Sequence, residues 1–316
     1  KIIIPIILVI IGISLWTSGI FNSKSELKEP IVTQKKEEQV VHKIDQKDPH
    51  AGHNHGHVPT IVAIVPKGAT KIVEGDFTQP LFCNNKESLI YTDAKGNTLF
   101  YQKNLSSAPE IILQQTSVGN NVGWSKDCET VYFKEKTKDY KLIIKSINVN
   151  TKEINTHLNY PPQTELRSIA ISDTTYYLDT KTLAVKAMYE NKEWNISTQE
   201  GNYYKLLISP NNKYIAAHLS ANVMLFSTDG TFIKDLGRGI ATDWSPDSKK
   251  LIGFLDETSD GHDVSGSELY FFNLEGASPT QITSTPNAIE MWPVFKSQNE
   301  IVYTDEVNQG VFIKKI

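Results

Sequence analysis

The sequence predicts an all-β fold in which six four-stranded sheets form a ring. Three observations carry this expectation. A unit made of one large apolar residue, a polar turn and a short strand-forming run recurs at a regular interval. A second strand pair follows the unit. The last copy ends one strand short, while a spare strand precedes the first copy.

The unit is clearest in "WSPDSKKLIGF", which begins at Trp244. Relatives begin at Phe82 (FCNNKESLIYT), Trp124 (WSKDCETVYFK), Ile208 (ISPNNKYIAAH) and Phe295 (FKSQNEIVYTD). Alternating apolar runs around a short polar turn are a hairpin signal. Ser-Pro-Asp and Ser-Pro-Asn suit the turn: proline presets φ, and Asp or Asn bonds back to the local backbone. The large leading residue is expected to point into the space between neighbouring sheets. "LFYQKNLSSAPEIIL" and "LYFFNLEGASPTQIT" then supply the third and fourth strands.

The starts are 42, 84, 36 and 51 residues apart. The gap of 84 is twice 42, so a degenerate copy belongs inside it. Residues 166–197 fill that place, with Ile171 at the start position. Six copies of about 43 residues have the spacing of four-stranded propeller blades. After Phe295 only three strands remain, and "TKIVEG" (70–75) resembles the fourth strands. Pairing it beside "VFIKKI" (311–316) closes the ring and covers an open sheet edge. The expected fold is therefore a six-bladed β-propeller over residues 61–316.

Residues 2–21 are 20 apolar or uncharged positions, long enough as a helix to span a bilayer core. Residues 1–21 are read as a signal-anchor or transmembrane helix, with a cleaved signal peptide as the alternative. Residues 22–60 are rich in Lys, Glu, Gln and His and bury too little apolar surface to fold, so a tether is expected there. This places the rest of the chain outside the membrane's inner compartment, in a periplasm or at a cell surface. The chain carries a net charge of −4 with mixed signs and no basic stripe, which argues against nucleic acid as a partner.

The motif "WSPDSKKLIGF", followed by a strand pair ending in "PTQIT", is similar to the WD40-like repeat of the TolB propeller family and of the propellers in prolyl-oligopeptidase-type enzymes. The Trp-Asp dipeptide of true WD40 repeats is absent. The resemblance covers residues 70–316 and implies a six-bladed propeller, often exported and often a binding platform; the chain is expected to be monomeric. It also implies binding of bacterial envelope proteins at one face or at the channel mouth. Fold analogy by itself does not set function.

No G-x-S-x-G, HExxH or P-loop motif occurs in the chain. Some six-bladed propellers resembling this one are lyases with several channel histidines. Here the propeller has His157, His218 and His262, in different copies. The tether carries His50, His53, His55 and His57, imidazoles suited to Zn, Cu or Ni. The insertion in the Trp244 copy carries Asp256, Asp260, His262 and Asp263, a loop of hard ligands that suits Ca²⁺. For both stretches the plain alternative is a solvated polar segment. Cys83 and Cys128 fall near the same turn of adjacent copies and either bridge them or stay free.

The function read from the sequence is a membrane-anchored, non-enzymatic protein-binding platform with no required cofactor. A metal-handling protein using the His50–His57 tract is one alternative, and a saccharide lyase or hydrolase with a channel metal site is the other.

Overall fold

A computed structural model describes residues 64–316, apart from 84, 86, 120, 199–200, 259–263 and 277–278. The expected anchor helix and tether lie outside the described residues. Among the described residues no helix is long and apolar enough to cross a membrane.

Six antiparallel sheets follow one another along the chain. Blade one is built from Phe77–Phe82, Leu89–Asp93, Thr98–Gln102 and Glu110–Gln114. Blade two spans residues 123–157, blade three 175–195, blade four 203–238 and blade five 240–281. Blade six has Glu290–Ser297, Glu300–Asp305 and Gly310–Lys315, and its outer strand is Ala69–Glu74. Val73 pairs with Val311 and Thr70 with Ile313, so the strand before the first copy completes the last sheet as expected.

The leading residues do what the sequence reading asks of them. Trp124 packs with Leu81 and Ile90 of blade one, Trp244 with Leu207 and Leu225 of blade four, and Phe295 with Phe254 and Leu269 of blade five. Each therefore faces the preceding blade. The indole Nε1 of Trp124 donates to the Leu81 carbonyl at 3.2 Å, and that of Trp244 donates to the Leu207 carbonyl at the same distance. The turns after them also match. Ser125, Ser209 and Ser245 each donate their hydroxyl to the Asp or Asn two residues on. Cys128, Asn212 and Ser248, at the equivalent last position, all take positive φ.

Cys128 occupies that turn and is joined to Cys83, which follows the innermost strand of blade one. Their Cα atoms are 5.7 Å apart, inside the range a disulfide spans. The bond staples blade one to blade two.

Blade three departs from the pattern. Among the described residues it has three strands, Thr175–Leu178, Val185–Tyr189 and Lys192–Asn195. Where the innermost strand belongs, Gln163–Glu165 begin to pair with Tyr176–Leu178. The chain then turns into a short 3₁₀ helix, Leu166–Ala170. Ile171 caps that helix and packs toward blade four, so it is not the start residue the repeat spacing predicted. Five apolar clusters fill the other five blade interfaces. Blades two and three are joined by hydrogen bonds: Leu166 N donates to Asn121 Oδ1 at 3.3 Å, and Lys134 Nζ donates to Gln163 Oε1 at 3.3 Å. Gly123 lies so close to the Leu166 carbonyl that a Cβ there has no room.

Because strands alternate in direction, turns after the first and third strands emerge on one face. That motif face carries the Ser-Pro-Asp turns. Turns after the second strands, and the links between blades, emerge on the other, the hairpin face.

Trp244→Phe is expected to cost about 1 kcal/mol, since it removes one buried hydrogen bond, read as a lower urea midpoint. The disulfide closes a loop with a sequence separation of 45. Replacing Cys83 and Cys128 together by serine is expected to remove about 4 kcal/mol by loop-closure entropy, read by thermal denaturation under non-reducing conditions.

Candidate functional site

The innermost strands line the centre of the ring, and four of them carry a register shift: in blade one between Thr78 and Leu81, in blade four between Tyr203 and Lys205, in blade five between Ala241 and Asp243, and in blade six between Met291 and Val294. Such bulges re-aim side chains that a regular ladder would alternate. Gln79 and Trp292, inside two of the bulges, take positive φ.

The broken third blade supplies the most charged part of this lining. Glu165 is buried and caps the 3₁₀ helix, accepting from Arg167 N at 3.2 Å. Arg167 Nη1 donates to the Thr242 carbonyl of blade five at 2.5 Å. Blades three and five are not neighbours, so this bond crosses the centre of the ring. Lys205 comes from the bulge of blade four, its Nζ 5.4 Å from the centre of the Trp292 ring of blade six. Thr242 Oγ1 donates to the Pro293 carbonyl at 2.5 Å, and Asp243 Oδ2 accepts from Phe295 N at 2.9 Å, which ties blade five to blade six.

Burial governs the protonation of this set. It pushes the Glu165 carboxyl up, against the opposing pull of Arg167 and Lys134. It lowers Lys134 to about 8, with Glu165 opposing. It lowers Lys205 to about 7, helped by Arg167 and opposed by Glu165 and Asp243. Lys205 therefore exchanges a proton near neutral pH, beside a fixed guanidinium and a carboxylate. The arrangement suits a polar or charged group entering the channel and also fastens four blades together.

A polar depression of about 300 Å³ opens on the motif face beside the 3₁₀ helix. Lys126, Asp173, Tyr189 and Asn212 line it, from blades two, three and four. On the hairpin face, Tyr140 and Leu158 of blade two are 78% and 83% exposed.

No family model matches the chain, and no curated protein matches it. Solved structures do. The chain is similar to the β-propeller domain of Cps50 (Swd1) from Myceliophteria thermophila, with TM-score 0.54 and 9% identity over 78% of this chain and 99% of that one. A protein assigned as TolB from Agrobacterium tumefaciens matches with TM-score 0.48 and 14% identity, over 77% of this chain and 91% of that one. TolB from Acinetobacter baumannii matches with TM-score 0.46 and 10% identity, over 77% of this chain and 55% of that one. In fold the chain is a six-bladed β-propeller, similar to the Cps50 (Swd1) domain. Identities this low speak to fold alone.

The propeller does not assemble the described histidines. His218 sits on the second strand of blade four, fully buried, with Nε2 accepting from Ala241 N at 3.0 Å. Burial, with Lys205 beside it, lowers its pKa to about 3, so it is neutral. His157 lies on the outer strand of blade two, 2.8 Å from the Ser146 hydroxyl. Asp256 is exposed on the second strand of blade five, opposite Ser267. His50, His53, His55, His57, Asp260, His262 and Asp263 lie outside the described residues. Among the described residues no group of three or more His, Cys, Asp or Glu is placed to hold a metal ion.

Sequence reasoning passed over Glu165, Arg167, Lys205, Asp243 and Trp292. One signal was present: the copy that fits the repeat worst contains charged residues, "TELRSIA", where the others have an apolar strand.

Lys205 gives a pH test of the channel. An unfolded lysine titrates near 10.4, against about 7 in the fold. Between those values the unfolded chain holds a proton that the native chain lacks. The contribution of this group is therefore full above the unfolded value and is lost as pH falls toward 7. Lys205→Met is expected to remove up to about 1.4 kcal/mol per pH unit from the rise in stability between about pH 7.5 and 9.5, measured by urea denaturation at each pH.

Proposed function

We propose that the chain is a membrane-anchored, exported β-propeller acting as a non-enzymatic protein-binding platform in the bacterial cell envelope. The observation that carries this reading is the broken third blade. Five blades keep the regular frame, and the one that departs from it charges the channel and opens the polar depression. Places where a repeat breaks its own rule are where function is concentrated, because stability alone favours the rule. Rigid scaffolds with variable loops and ends are the usual setting for recognition.

The Cys83–Cys128 bond supports export, since such bonds persist in oxidising compartments. The apolar run at residues 2–21 supports a membrane anchor, and residues 22–60 supply reach: about 40 residues span on the order of 35 Å as a coil. The partner surface in this reading is the depression on the motif face.

The test is affinity capture from a bacterial envelope extract, with the full chain as bait. A discrete protein is expected on the wild type, reduced at least tenfold by Asp173→Lys with Tyr189→Ala and unchanged by Tyr140→Ser with Leu158→Ser. Melting curves establish that both variants fold. Loss with the second pair only would move the site to the hairpin face. No retained protein would remove the platform reading.

A further inference from the structure

Between blades five and six lies a group of buried oxygens that the channel does not use. Glu290 opens the innermost strand of blade six and is 0% exposed. Glu268 comes from the third strand of blade five, Val264–Asn273. One residue, Thr285, holds an oxygen of each: its N–H donates to Glu268 Oε1 at 2.6 Å, and its hydroxyl donates to Glu290 Oε1 at 3.2 Å. The second oxygens, Glu268 Oε2 and Glu290 Oε2, are buried without a hydrogen-bond partner, as is the hydroxyl of Tyr303. Tyr303 is itself 0% exposed, and the charges that act on it are those of Glu290, Asp305 and Glu268.

Asp305 is not part of the vacant set. Its Oδ1 accepts from Val307 N and Asn308 N at 3.0 Å each, and its Oδ2 accepts from Asn308 Nδ2 at 2.5 Å, so both oxygens serve the turn. The charged groups bearing on Glu290 are Glu268 and Asp305, both acidic.

A fully buried carboxylate with only acidic groups among its charged neighbours is costly, and three candidates can relieve it. A water satisfies the free oxygens but leaves the charge. A proton cancels one charge and leaves the other. A divalent cation cancels both charges and uses all three oxygens. We propose that this group of oxygens binds one hard divalent cation, Ca²⁺ by ligand type, through Glu268 Oε2, Glu290 Oε2 and the Tyr303 hydroxyl. Hard cations take oxygen ligands, with waters filling the remaining positions. The ion would pin blade five to the blade that closes the ring.

The test is calorimetric titration of chelator-treated full chain with CaCl₂, together with melting curves in CaCl₂ and in EDTA. One site is expected, with a dissociation constant on the order of 10⁻⁴–10⁻³ M, as for extracellular sites of few ligands, and a melting point that rises with Ca²⁺. Glu290→Gln and, as a second variant, Glu268→Gln are each expected to weaken binding at least tenfold, while Asp256→Asn leaves it unchanged. No heat and no melting shift with Ca²⁺ or Mg²⁺ up to about 10 mM, a range well above such constants, overturns the proposal whatever the variants do. Binding kept in Glu290→Gln and lost in Asp256→Asn overturns it too, by placing the ion on the hairpin. A pair holding only a proton gives a wild type indifferent to Ca²⁺ and a Glu290→Gln variant at least as stable, and that outcome also overturns it.

Discussion

One antiparallel ladder, Ala69–Glu74 against Gly310–Lys315, turns a row of sheets into a ring. A row would leave an apolar face bare at each end, and the last sheet would show an unpaired edge. The ladder removes the edge, and the closing interface then buries Val73 and Val311 with Phe82 and Leu89 of blade one. Every blade thereby gains two neighbours. The loop-closure cost of joining such distant segments grows only slowly with their separation. The channel exists because the ring closes, and so do all contacts across it.

Within that frame the leading aromatic residues do two jobs with one side chain. Trp124 and Trp244 fill the gap to the preceding blade and also pair a buried carbonyl there. A phenylalanine fills much of the volume but cannot donate. Ile208, on the motif's weaker copy, packs without that donor. The serine and Asp or Asn of the turn satisfy backbone groups locally, so the repeat holds its shape without help from loops.

Blade three gives up this economy. Its innermost strand becomes a 3₁₀ helix, and its contacts to blade two include hydrogen bonds in place of an apolar cluster. In return Glu165 and Arg167 enter the channel, and Arg167 braces the ring across its centre. The same polar satisfaction fails at Glu268, Glu290 and Tyr303, where buried oxygens stand unpaired.

The sequence by itself determined the all-β class, the six copies, the turn chemistry and the strand that closes the ring. These are local patterns, repeated at a spacing that the chain displays directly. Whether Cys83 and Cys128 meet was left open, because their offset in the repeat hid that the Cys128 turn lies over the end of the neighbouring strand. Only the tertiary structure decided that Ile171 caps a helix, that His157 and His218 stand apart, and that Arg167 meets Thr242, 75 residues away. It likewise brought Glu268 and Glu290 to one threonine. The reason is physical: periodicity encodes which residues face a neighbouring sheet, but what converges at the centre depends on bulges and closure, and neither has a period.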